Sequence, residues 1–148
     1  MKQLLSALLV LFVSVNSYAQ VETPLPAKTE TGNHPHKIVF QLTTDDTLAH
    51  KALMKQLNNI TSVAPGTQIE VVCHGAGLDM LVSGKTIVED KIKILADKGV
   101  VFNACEFSIK ERKVDRSKII SVSGFVPAGI VEIVSKQEQG WSYIKAGN

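Results

Sequence analysis

Cys105 and His74 are the two side chains in this sequence whose type and setting could do chemistry. Cys105 closes the run Val100-Val101-Phe102-Asn103-Ala104 and opens the polar stretch Glu106 to Lys113. That places a thiol at the end of a buried strand and the start of a helix, where free N–H groups and the helix dipole stabilise a thiolate. Lys110, Arg112 and Lys113 add positive potential within two turns, and Glu106 opposes it. A thiolate held in this way attacks sulfur and can carry it as a persulfide. Cysteine also fills cores, so spacing alone leaves a structural Cys105 open. His74 follows Ile69-Glu70-Val71-Val72-Cys73 and precedes Gly75-Ala76-Gly77. Its imidazole could relay a proton, hold an anion near the sulfur, or bond the backbone of its own turn.

Cys73 is expected to face the other side of its strand from His74. With the first strand placed between the second and third, Cys73 and Cys105 stand two inter-strand gaps apart, roughly 9–10 Å. A disulfide needs Cα atoms near ~5.5 Å, so no bridge is expected and Cys73 reads as a core residue. Neighbours on extended backbone diverge, which argues against Cys73, His74 and Cys105 as a metal site. His34-Pro35-His36 lacks a third ligand and reads as a solvated tail. Gly75-Ala76-Gly77 has Met80 where a dinucleotide fingerprint needs its third glycine, and Gly84-Lys85-Thr86 has Asp79 where a phosphate loop needs its first. Ser121-Val122-Ser123-Gly124 lacks the leading glycine of a nucleophile elbow. No cofactor or metal is implied. Without a Cys-x-x-Cys pair, a redox role is the weaker reading.

These residues are positioned by alternating strands and helices. Ile38 to Leu42 reads as a first strand, and Thr44-Asp45-Asp46-Thr47 supplies N-cap chemistry for a helix with Ala49, Leu53, Leu57 and Ile60 at helical spacing. Ile69 to Cys73 is the second strand. Leu78, Met80, Leu81 and Val82 form either an oligomer contact or a short helix capping the core. Thr86-Ile87-Val88-Glu89 matches a capping box, opening a helix that buries Val88, Ile92 and Leu95 and ends at Gly99. Val100 to Ala104 is the third strand, and a polar helix covers Glu106 to Lys113. Ile119-Ile120-Ser121-Val122 reads as the fourth strand. Pro127 and Gly140 bracket a helix carrying Ile130, Ile133, Val134 and Gln137, and Trp141 to Ile144 closes as an edge strand. The expected fold is α/β: a three-layer α/β/α sandwich on a mainly parallel five-stranded sheet. Functional atoms then gather at the carboxyl ends of the strands.

The chain has 148 residues, 45% hydrophobic and 20% charged, which suits one globular domain. Lys2, the apolar run Leu4 to Val13 and the small-residue site Ser17-Tyr18-Ala19 read as a signal peptide over residues 1–19, cleaved before Gln20. The apolar run is too short to span a bilayer. The expected destination is the periplasm, with no membrane attachment once the leader is removed. Gln20 to His36, with Pro24, Pro26 and Pro35, reads as a flexible arm before a domain over 37–148. The net charge of +2 falls to about +1 without Lys2 and gives no case for nucleic acid.

Four segments together resemble the DsrE/DsrF-like family of sulfur-relay proteins. They are Lys37 to Leu42 with Asp45-Asp46; Glu70-Val71-Val72-Cys73-His74-Gly75; Gly99 to Cys105; and Val126-Pro127-Ala128-Gly129 running to Gln137-Glu138-Gln139-Gly140-Trp141-Ser142-Tyr143-Ile144. The resemblance implies a three-layer domain that assembles into homotrimers or homohexamers. It also implies a persulfide carried on the cysteine after the third strand, the position of Cys105, with sulfur donor and acceptor proteins as partners. His74 matches a frequent feature of the family without an assigned role. The sequence therefore supports a periplasmic sulfur-transfer protein using Cys105, with His74 as assistant. The alternative is a non-catalytic oligomeric binding module in which Cys105 is structural.

Overall fold

The computed structural model describes residues 35–147. The expected leader, and the expected arm up to residue 34, lie outside the described residues. Five strands form one sheet: β1 (Lys37–Leu42), β2 (Gln68–Cys73), β3 (Val101–Cys105), β4 (Gly124–Val126) and β5 (Ser142–Ala146). Their order is β4-β3-β2-β1-β5, and every neighbouring pair is parallel. The helices are α1 (Thr47–Val63), α2 (Glu89–Asp97), α3 (Glu106–Glu111) and α4 (Gly129–Glu138), with short 3₁₀ turns at Gly75–Leu81 and Arg116–Lys118.

Strand order decides which helix lies where. From β1 to β4 the chain moves one strand at a time in a single direction, and crossovers of the usual right hand place α1, α2 and α3 on one face. The core confirms it: Leu53 and Leu57 of α1, Ile92 and Leu95 of α2 and Ile109 of α3 cluster with Phe40, Val71 and Phe102 of the sheet. The return from β4 to β5 runs the other way past β1, so α4 falls on the opposite face. There Ile133 packs on Val39, Val72 and Val126, with Trp141 at the margin. This is the expected three-layer α/β/α fold, with an all-parallel sheet.

The second face is thinly covered. Four inter-strand gaps of ~4.8 Å make a sheet ~19 Å across, whereas one helix is ~10–12 Å wide. Ile130, Val131 and Val134 of α4 remain exposed, as does Tyr143 of β5. Of the apolar residues Ile130, Ile133 and Val134 that mark this helix in the sequence, only Ile133 is buried, because α4 meets the sheet along a narrow stripe. A polar clamp adds to this contact. Glu70, 2% exposed on β2, accepts from Asn103 Nδ2 at 2.8 Å and pairs with Lys136 of α4 at 2.6 Å. Lys136 also lies 4.5 Å from the Trp141 ring centroid.

Several local expectations change. The fourth strand is Gly124–Val126, not Ile119 to Val122. Ile119 instead forms an isolated antiparallel bridge with Val82, and both Ile119 and Ile120 join the main core. An apolar pair there serves to anchor the chain beneath the 3₁₀ turn: the Ile120 N–H donates to the Leu81 carbonyl at 2.9 Å. Leu78, Met80, Leu81 and Val82 are themselves buried, which settles them as core. The Thr86–Glu89 capping box does not form, since α2 starts at Glu89 with Val88 as an N-cap that makes no side-chain bond. The Thr86 hydroxyl turns back onto the Val88 N–H at 3.3 Å. Pro127 also sits two residues ahead of α4, which begins at Gly129 after Ala128.

Replacing Lys136 with Met should strip the buried Glu70 of its only cationic partner among the described residues. Breaking a buried pair from one side costs about 3 kcal/mol or more. Urea denaturation should show the midpoint falling with an unchanged slope, and a loss below ~1 kcal/mol would mean that the pair is solvated.

Candidate functional site

In an open parallel sheet the crevice opens where adjacent strands send their following helices to opposite faces. Here β3 leads into α3 on one face and β4 leads into α4 on the other. Cys105 ends β3 and pairs in register with Val126, the last residue of β4. The thiol therefore sits at the switch point of the sheet, at the carboxyl ends of its strands.

The sulfur is served by two helices, the start of α3 as the sequence suggests and the start of α4 in addition. Cys105 occupies the N-cap position of α3, where its side chain makes no cap hydrogen bond but lies near the first N–H groups. The Phe107 N–H donates instead to the Pro127 carbonyl at 3.3 Å. From α4, the Gly129 N–H donates to Sγ at 3.2 Å. Gly129 is the first residue of the ten-residue α4, so the sulfur lies at the positive end of the longer helix. Burial, with Cys105 at 4% exposure, acts to raise the thiol pKa. The Ser108 hydroxyl, the Gly129 N–H and the nearby N–H dipoles of Ser108 and Phe107 outweigh it and bring the thiol below its ordinary value. Ser108 is buried, and its Oγ accepts the Gly75 N–H at 2.8 Å, tying the loop after β2 to the neighbourhood of the sulfur.

His74 reaches the same place from β2. A Cβ added at Gly129 would lie 3.1 Å from His74 Cβ, 3.1 Å from Val72 Cγ1 and 3.3 Å from His74 Cδ2. Glycine thus eases a close approach: with no Cβ, the start of α4 comes up to Cys105 on one side and His74 on the other without displacing either. The imidazole is partly buried, which lowers its pKa, and its Nε2 lies 2.8 Å from Gln41 Nε2. Gln41 Oε1 in turn accepts the Tyr143 hydroxyl. The structure thus brings Cys105 and His74 to one strand-end site around Gly129.

Residues 36–146 match the DsrE/DsrF-like family. The chain belongs to the DsrE/DsrF-like family. A solved structure from Methanobacterium thermoautotrophicum, the protein of unknown function MTH1491, is 25% identical with a TM-score of 0.71. The alignment covers 74% of this chain and 98% of that one. No curated protein matches.

In this DsrE/DsrF-like chain, Cys73 is not part of the strand-end site. The sequence reading put β1 between β2 and β3, but β2 pairs directly with β3, and Cys73 stands opposite Ala104. Cys73 therefore shares a face with Ala104, and Cys105, one residue on, points to the other face. Both cysteines are free; facing, rather than distance, keeps them apart. Cys73 is fully buried in the main core, and burial pushes its thiol far above the ordinary range. Ser108, Gly129, Gln41 and Tyr143 were not identified from the sequence as site residues. The available signals were a glycine directly after Pro127-Ala128 and a glutamine inside an apolar strand.

Native alkylation should modify Cys105 and spare Cys73, and both should react after unfolding. The rate should follow the Cys105 thiolate, with a midpoint below the ~8.5 of a free cysteine. Because the folded value is lowered, this group adds stability above the unfolded thiol's value, and the gain fades as pH falls through the folded value. Gly129→Ala should raise the midpoint, because the added methyl crowds His74 and Val72 and moves the Gly129 N–H off the sulfur. An unmoved midpoint in a folded variant would show that the Gly129 N–H does not hold the sulfur.

Proposed function

We propose that this DsrE/DsrF-like protein is a periplasmic sulfur carrier in which Cys105 binds sulfane sulfur as a persulfide. The observation that carries this reading is the Gly129 N–H bond to Sγ at the start of α4, on a thiol whose pKa is lowered. A persulfide donor would be attacked at its outer sulfur. Cys105–S⁻ and R–S–SH give Cys105–S–SH and R–S⁻, so one S–S bond forms as another breaks and no external oxidant is needed. The thiolate leaving group departs with the electron pair, and the transferred sulfur keeps its proton. The reverse exchange with an acceptor thiolate unloads the carrier. The export signal expected over residues 1–19 supports the periplasmic setting.

Self-assembly belongs to the same proposal. The exposed apolar residues Ile130, Val131 and Val134 lie beside the site on α4, and a second copy packed there would cover them. Light scattering on the mature chain should give a trimer or hexamer, and a clean monomer would remove this part. The decisive measurement is the intact mass of protein isolated from the periplasm without reductant, before and after exposure to polysulfide. The expected result is a gain of one sulfur atom that reductant removes and Cys105→Ser abolishes. If Cys105→Ser still takes up the sulfur, or the wild type takes up none, the carrier reading fails and a binding module with a structural Cys105 replaces it.

A further inference from the structure

The thiol of Cys105 is free, yet the residue is only 4% exposed. Val126, also buried, stands beside it in register on β4, and register partners on neighbouring parallel strands share a face. The Gly129 N–H lies 3.2 Å from Sγ at the start of α4. Ser108, in the first turn of α3, is buried and bonds to the same sulfur through its hydroxyl. The sulfur is therefore closed in by a strand neighbour and by the starts of two helices, and only a narrow opening leads to it.

Sulfur exchange makes demands that such an opening meets unequally. The attacking, attacked and leaving sulfurs stand in line, and the outcome depends on which sulfur is reachable. The terminal sulfur of a hydropersulfide, R–S–SH, carries only hydrogen beside that line, so its organic group trails two atoms behind Cys105. Either sulfur of a disulfide carries its organic group directly, projecting sideways where Val126 and the helix starts leave little room. Unloading shows the same asymmetry. In Cys105–S–SH the outer sulfur stands about 2 Å beyond Sγ. An acceptor thiolate that attacks it forms R–S–SH and expels the Cys105 thiolate with the bonding electron pair. Attack on the inner sulfur would instead form Cys105–S–S–R and expel HS⁻. Sulfide leaves readily, so leaving-group chemistry does not forbid that second route; burial of Sγ does.

We propose that the walls around Sγ, Val126 among them, filter which sulfur reacts: the site takes the terminal sulfur of a hydropersulfide in preference to a disulfide, and passes it on without releasing sulfide. This deepens the carrier reading and rests on it for loading. The same filter keeps the thiol from being capped by small disulfides.

The test uses the mature protein and two reagents that share one organic group, glutathione persulfide and oxidised glutathione, followed by intact mass. Each rate is divided by that of free cysteine with the same reagent, which removes the difference in intrinsic reactivity. Cys105→Ser, which leaves only the core-sealed Cys73, supplies the blank. The relative rate should be several-fold higher for the persulfide, and the product should carry one extra sulfur rather than a glutathionyl group. The loaded protein, freed of reagent, then meets one equivalent of glutathione, and its mass should return to that of the unloaded chain. Val126→Ala should open room beside Sγ, raise the relative rate of oxidised glutathione several-fold and leave some glutathionyl adduct after unloading. Equal relative rates in the wild type, or a glutathionyl adduct as the main product of unloading, overturns the filter while the carrier reading stands. A folded Val126→Ala variant that discriminates as the wild type does overturns the part given to that residue. A wild type that reacts with neither reagent until unfolded removes the carrier reading and the filter together.

Discussion

One short contact organises this site: the first N–H of α4 on the sulfur of Cys105. It exists because two segments distant in sequence end at the same level of the sheet, with Cys105 and Val126 in register at the close of β3 and β4. The chain must then reverse direction across the sheet to reach β5, and the helix that makes that crossing begins against the thiol. A buried sulfur would ordinarily resist ionisation. Here burial and hydrogen bonding oppose each other, and the donors prevail.

The position of α4 therefore bears on the chemistry. Its narrow apolar contact through Ile133 is modest, and a buried ion pair, Glu70 with Lys136, sits two turns along the same helix. Such a pair contributes little net stability against an apolar substitute, but it penalises misplacement, because a displaced helix leaves a buried carboxylate without its cation. Asn103 satisfies the second carboxylate oxygen from β3, the strand that ends in Cys105. The clamp and the thiol are thus mounted on the same strand and the same helix.

The alternation of apolar strands and periodic helices made the fold legible in the sequence, and the strand-end positions of Cys105 and His74 followed from it. Strand order was not legible, since Ile38 to Leu42 could neighbour the second and third strands or the second and last with the same pattern. That ambiguity is why the separation of Cys73 from Cys105 was argued from distance instead of facing. Ile119-Ile120 misled for a related reason: two β-branched residues in an apolar run look alike whether they join a sheet or plug a core. The donor from α4 was hidden because it is a backbone N–H contributed from 24 residues away. No side-chain type announces such a group; only Gly129 marks it, through the room it leaves for His74.

The back-to-back placement of the two cysteines has a chemical consequence. Oxidised or sulfur-loaded cysteines are commonly cleared by a neighbouring thiol in the same chain, which displaces the added atom and closes a disulfide. Cys73 cannot serve in that way, because the sheet itself lies between the two sulfurs and Cys73 is sealed in the core. Whatever Cys105 acquires stays on it until a thiol from another molecule arrives. On the proposed carrier reading, the fold would separate loading from discharge and leave the timing of discharge to the acceptor.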